Sequence, residues 1–209
     1  ISGPYWSTWT IDILPFMEES ALFDLWNPKV VLSNVGNRTI KQSRVVSYLC
    51  PSEEDTGVLG VPESGPADSL LPPNNLYHPG SYRANSGTGT GQSCNGYWDS
   101  PSGIAGILND PKAGLNTRGA LYTIDLINGK VKPIKLSQVT DGTSKSRLAG
   151  EYMTRTRPRR RTFWAYAYTS YNQSSGIPES RTLIPDYERC STLPGAAGCQ
   201  DNCKRGWGS

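Results

Sequence analysis

The 22 glycines and 16 prolines spread through this 209-residue chain interrupt it too often for long helices. Proline removes a backbone donor and clashes with the preceding turn, while glycine costs conformational entropy inside any regular element. A helical bundle is disfavoured, and a loop-rich fold built around strands is expected. The length is ample for a real core, and we treat residues 1–209 as a single domain. A mean hydropathy of −0.49 combined with 6 tryptophans and 11 tyrosines argues against both a membrane-embedded and a disordered chain. No run approaches the ~18 apolar residues of a membrane span.

Histidine is the second constraint. The chain has one, His78, so a Ser-His-Asp triad, a His-rich zinc site or a two-His iron site would have to be built on that residue alone. Carboxylates are plentiful, but no motif selects a pair at glycosidase separation. We therefore expect no enzyme, no catalytic residues, no cofactor and no metal.

Charge is unevenly placed. Arg155, Arg157, Arg159, Arg160 and Arg161 outweigh the whole net charge of +3, leaving the remainder acidic. Such a cluster suits phosphates, acidic glycans or anionic lipid; its plainer reading is a solvated loop broken by Pro158. One basic run without a basic domain is a poor nucleic-acid signature, so no nucleic acid is expected as a partner.

Cysteines stand at Cys50, Cys94, Cys190, Cys199 and Cys203, the last three inside a Cys-rich terminal segment over about 186–209. Disulfide staples in an oxidising compartment are the preferred reading. Two bridges would leave one thiol free or paired outside this chain. Zinc thiolates at Cys190, Cys199 and Cys203 are the alternative, but no further CxxC pair or nearby histidine completes a tetrahedron.

Along the chain, residues 15–26 read as a helix: Pro15 suits its first turn, Glu18 and Glu19 its positive end, and Asn27-Pro28 its stop. Phe16, Leu22, Phe23 and Trp26 would form its buried stripe, packed on a mainly antiparallel sheet. Residues 44–50 read as a strand, 53–79 as a long surface excursion, and 148–153 as a strand. Asn128-Gly129 joins two alternating segments in a predicted hairpin over 120–136. The run Thr162-Phe-Trp-Ala-Tyr-Ala-Tyr-Thr169 reads as a strand with Trp164, Tyr166 and Tyr168 on one face. That row is either a packed core face or a stacking platform for sugar rings. With Trp98 and the guanidinium groups of Arg157, Arg159, Arg160 and Arg161, it would recognise an acidic polysaccharide. Asp141-Gly142 is turn chemistry, with Gly142 able to take positive φ. A calcium site using Asp141 and Glu151 lacks any supporting spacing.

Four segments, in order, carry a resemblance: Trp9-Thr-Ile-Asp-Ile-Leu-Pro-Phe-Met-Glu-Glu-Ser-Ala-Leu-Phe-Asp24, Tyr48-Leu-Cys-Pro-Ser52, Gly80-Ser-Tyr-Arg-Ala-Asn-Ser-Gly87 and Val139-Thr-Asp-Gly-Thr-Ser-Lys-Ser-Arg-Leu-Ala-Gly-Glu151. Together they resemble a prepilin-like domain family of unknown function that is expanded in planctomycetes. Its members typically start with a type IV prepilin cleavage and methylation signal and a long apolar helix. The abrupt ends of this chain fit the soluble head of such a precursor. The resemblance implies an α+β pilin-like head at the cell envelope or extracellular surface, with other pilin-like subunits or envelope proteins as partners. Membrane attachment would come only through an N-terminal helix outside this chain. The excursion at 53–79 and the arginine cluster depart from the family pattern, and the family supplies no catalytic residues.

Overall fold

The computed structural model describes residues 7–53, 57–65, 73, 75–88, 119–122, 134–140, 142–152, 158–168, 171–177 and 206–208. The chain divides into two units, Ile1–Tyr82 with Glu151–Asn172, and Arg83–Gly150 with Gln173–Ser209. The architecture is α+β, with a few short helices and a small sheet.

The first unit begins with α1 (Trp9–Asp12), capped by the Thr8 hydroxyl accepting from the Ile11 amide. A 3₁₀ turn at Leu14–Met17 follows, then α2 (Ser20–Phe23). The continuous helix expected over 15–26 does not form. Glu18 sits in the left-handed region at φ 63° and reverses the chain between the two pieces. The break also splits the expected apolar stripe. Phe16 is 86% exposed, whereas Leu22, Phe23 and Trp26 pack against a core of Ile11, Leu14, Leu32, Ile40, Val45, Tyr48 and Trp164. Their support is this cluster.

Asn37 ties the next loop from inside. Its side chain accepts from the Asn27 amide at 2.7 Å and donates to the Asn27 and Val31 carbonyls. It leads into α3 (Arg38–Gln42), which buries Ile40 and Lys41. Residues 44–50, expected as a strand, instead contain a 3₁₀ turn at Val46–Tyr48 that inserts the Tyr48 ring into the core. The Tyr48 hydroxyl donates to the Thr10 carbonyl at 2.5 Å, and burial pushes its pKa upward.

Among the described residues, four strands form one sheet in the order β2-β1-β3-β4, with β1 at Tyr82–Thr88, β2 at Ala149–Glu151, β3 at Gln173–Ile177 and β4 at Gly206–Gly208. The strand expected near 148–153 is present as β2. The sheet is mixed: the chain around β1 and β2 bonds in antiparallel sense, Asn85 to Leu148 and Tyr152 to Ser81, whereas β1 pairs β3 and β3 pairs β4 in parallel. The mainly antiparallel direction expected therefore holds only at one edge. Parallel neighbours need long crossovers, and residues 89–172 lie between β1 and β3. Alternation along a strand reports its faces but not its partner's direction. The β1–β3 register shifts between Asn85 and Gly87, leaving Ser86 as an extra residue whose hydroxyl donates to the Ser174 carbonyl. Gly142 has φ 84°, as the turn chemistry at Asp141-Gly142 requires. The hairpin turn at Asn128-Gly129 lies outside the described residues.

Candidate functional site

Arg159, Arg160 and Arg161 and the rings of Trp164, Tyr166 and Tyr168 all belong to the first unit. Residues 162–168 are not a strand. Phe163 makes an isolated antiparallel bridge with Pro79, and the chain then turns, the Tyr166 amide donating to the Phe163 carbonyl at 3.1 Å. The turn sends neighbouring rings to different clusters. Trp164 joins Ile11, Leu14 and Tyr48, while Phe163 and Tyr166 join Tyr77 and Tyr171.

This corrects the stacking platform. Trp164 is 1% exposed and Tyr166 is 2% exposed, so neither ring face can meet a sugar. Trp164 instead donates through Nε1 to the Ser43 carbonyl and lies 5.6 Å from the Tyr48 ring. Tyr168 is half-buried against the second cluster. The shared face failed because an alternating pattern places side chains together only if the backbone is extended.

The described arginines of the cluster, Arg159, Arg160 and Arg161, hold groups of the chain itself. Arg159 donates through Nε to the Val61 carbonyl at 3.1 Å and through Nη2 to the Pro62 carbonyl at 3.2 Å. Arg161 donates through Nη2 to the Val58 carbonyl at 2.7 Å, its guanidinium 5.6 Å from the Phe163 ring centre. Arg160 pairs through Nε with the Glu63 carboxylate at 3.3 Å and lies 5.4 Å from the Tyr171 ring centre. Arg160 and Arg161 are buried, at 7% and 8% exposure, whereas Arg159 is exposed. Burying guanidinium groups is tolerable only with such carbonyl, carboxylate and ring partners.

The object they hold is part of the 53–79 excursion. Gly60 and Tyr77 exchange two backbone hydrogen bonds of 2.9 Å, and the Glu63 amide donates to the Arg159 carbonyl at 3.0 Å. Next along, Ser64 is held at both ends of its peptide groups. Its amide donates to the Tyr171 hydroxyl at 2.9 Å, and its carbonyl accepts from the Tyr166 hydroxyl at 2.9 Å. Gly65 then takes φ +95°, and a Cβ there would lie 2.5 Å from the Tyr166 hydroxyl. Burial raises the Tyr171 pKa, with the Arg160 charge opposing. The phenol is therefore protonated at neutral pH and can accept from the amide while remaining uncharged.

Glu63, Ser64, Tyr77 and Tyr171 were not singled out from sequence. A lone carboxylate in a Gly/Pro-rich stretch is a weak signal, although Glu63 is an available counter-charge for the cluster. Arg157, Trp98, Cys94, Cys190, Cys199, Cys203 and Asp141 lie outside the described residues. Cys50, proposed as a disulfide partner, carries a free, half-buried thiol. Glu151 is exposed on β2 and hydrogen-bonds Tyr82, whose phenol pKa rises by desolvation first and by this carboxylate second.

His78 is a core residue. Its Nδ1 faces the Pro79 carbonyl at 3.0 Å, which makes Nδ1 the protonated nitrogen of a neutral ring. Burial lowers its pKa, the hydrogen bond to the Pro79 carbonyl opposes this, and the positive charges of Arg44 and Arg161 add to the lowering. Among the described residues, no helix is long and apolar enough to cross a membrane, and no group of three or more acidic, histidine or cysteine side chains is placed to hold a metal ion.

What this arrangement does chemically is bind. Guanidinium donors take carbonyls and one carboxylate, and two phenols take both sides of a single residue's backbone. No curated protein and no solved structure matches the chain. A family model does match it over residues 2–209, and the chain accordingly belongs to the SBP_bac_10 family, described as "Protein of unknown function (DUF1559)".

Proposed function

We propose that this chain is the water-exposed head of a pilin- or pseudopilin-like subunit on the outer side of the cell envelope, with a structural and non-catalytic role. The observation that carries the reading is the ordered run of four segments, from Trp9 to Glu151, that resembles the prepilin-like family. The first of these segments is also where the fold of the first unit begins. Trp9 donates to the Asn172 carbonyl, Thr10 donates to the Trp164 carbonyl, and Ile11 and Leu14 enter the core. An apolar helix preceding Ile1 would thus lie a few residues before the segment that enters the core. Its partners would be other pilin-like subunits or envelope proteins.

The test is fractionation of the native cell followed by mass spectrometry of the mature N-terminus. The reading expects the protein in the envelope or outside it, with an N-methylated residue opening an apolar segment upstream of Ile1. A cytoplasmic protein with an unprocessed terminus would overturn it.

A further inference from the structure

Residues 58–64 are bound by the rest of the first unit in the way a protein binds a peptide. Their contacts are to residues far away in the sequence: Val58 with Arg161, Gly60 with Tyr77, Val61 and Pro62 with Arg159, Glu63 with Arg160, Ser64 with Tyr166 and Tyr171. Main-chain groups carry most of them. One two-bond β-bridge, three arginine-to-carbonyl contacts and two tyrosine contacts read the main chain, and one ion pair reads a carboxylate. Glycines allow the close fit. A Cβ on Gly60 would lie 2.9 Å from the Phe163 ring, and one on Gly65 would lie 2.7 Å from the Tyr168 ring.

We propose that the face formed by Arg159, Arg160, Arg161, Tyr166 and Tyr171 is a recognition site for a carboxylate-bearing segment, and that the segment it takes is residues 58–64 of a second copy of this chain. The occupant is a copy of the segment seated there in this chain, because its Glu63 carboxylate complements the Arg160 guanidinium and its carbonyls meet Arg159 and Arg161. Exchange of an identical segment between copies makes the same bonds in both places. Within one copy the segment competes at an effective concentration of order mM, so exchange is favoured where heads are crowded or the internal pairing is weakened. This goes beyond the envelope reading, because it concerns what the face binds wherever the protein resides.

Charge reversal tests it. Glu63→Arg and Arg160→Glu each place like charges together within one chain, but an equimolar mixture can restore two opposite-charge pairs by exchanging segments. Native mass spectrometry and sedimentation should show a heterodimer in the mixture and monomers of each variant alone. A mixture of folded variants that stays monomeric overturns the proposal.

A second measurement removes dependence on those variants folding. A fluorescent peptide with the sequence of residues 57–65 is titrated into the full chain and into its Glu63→Gln variant. Binding should be at least about tenfold tighter to the variant, whose own segment competes less, and should weaken severalfold when the peptide itself carries Glu63→Gln. Equal binding of both peptides, or none to a folded variant, overturns the proposal. Binding of polygalacturonate without binding of the peptide would assign the face to an acidic glycan and equally overturn segment exchange.

Discussion

Replacing Trp164 by alanine separates a core role from a surface role for the aromatic row. The side chain is 1% exposed, packs among Ile11, Leu14, Leu32, Ile40 and Tyr48, and donates to the Ser43 carbonyl at 3.1 Å. Truncating a buried aromatic side chain costs about 3–5 kcal/mol through lost transfer energy and the cavity left behind. The Ser43 carbonyl also loses its donor, at a further cost of about 1 kcal/mol. Total stability of a domain is of order 5–15 kcal/mol, so Trp164→Ala should remove a large part of the margin of the first unit. Trp164→Phe retains most of the ring and should lose about half as much. Urea denaturation followed by far-ultraviolet circular dichroism measures both. A loss below about 1 kcal/mol for Trp164→Ala, with the transition slope unchanged, would place the ring outside the core and refute the packing argument.

Glu18→Gly relieves a non-glycine residue from φ 63° and should raise stability by about 0.5–1 kcal/mol, read as a higher urea midpoint. Lys41 is buried and donates to the Ser33 and Asn34 carbonyls; burial first and the Arg38 charge second push its pKa down from 10.5 to about 8. Between these values the unfolded chain binds more protons than the folded one, so the Lys41 contribution to stability rises from about pH 8 toward 10.5 and is absent in Lys41→Met. Above about pH 10 the raised pKa values of Tyr48 and Tyr77 act oppositely, and stability should fall as the unfolded phenols ionise first. The free, half-buried Cys50 thiol should be alkylated in the native, non-reduced protein, and peptide mapping that finds Cys50 in a disulfide would contradict the structure.

Local chemistry was legible in the sequence wherever a residue's own backbone preference decides the outcome. Dense glycine and proline limit helices to short pieces, Gly142 takes positive φ in its turn, and the strand near residue 149 forms. The apolar stripe read over 15–26 signalled burial for Leu22, Phe23 and Trp26, which do pack against the core. Periodicity failed where it assumed an unbroken element. The left-handed Glu18 sends Phe16 into solvent, and the turn after Phe163 sends Trp164 and Tyr166 into different clusters. Charge failed for a different reason. Five close arginines look like a site for an outside anion because the sequence does not show that residues 58–63 return to meet three of them. Partner choice between segments some hundred residues apart depends on loop closure and shape, which no local pattern encodes. Composition and turn chemistry therefore determined a loop-rich chain of short elements, and the tertiary structure alone decided that Trp164 and Tyr166 are buried and which carbonyls, carboxylate and rings the arginines and tyrosines hold.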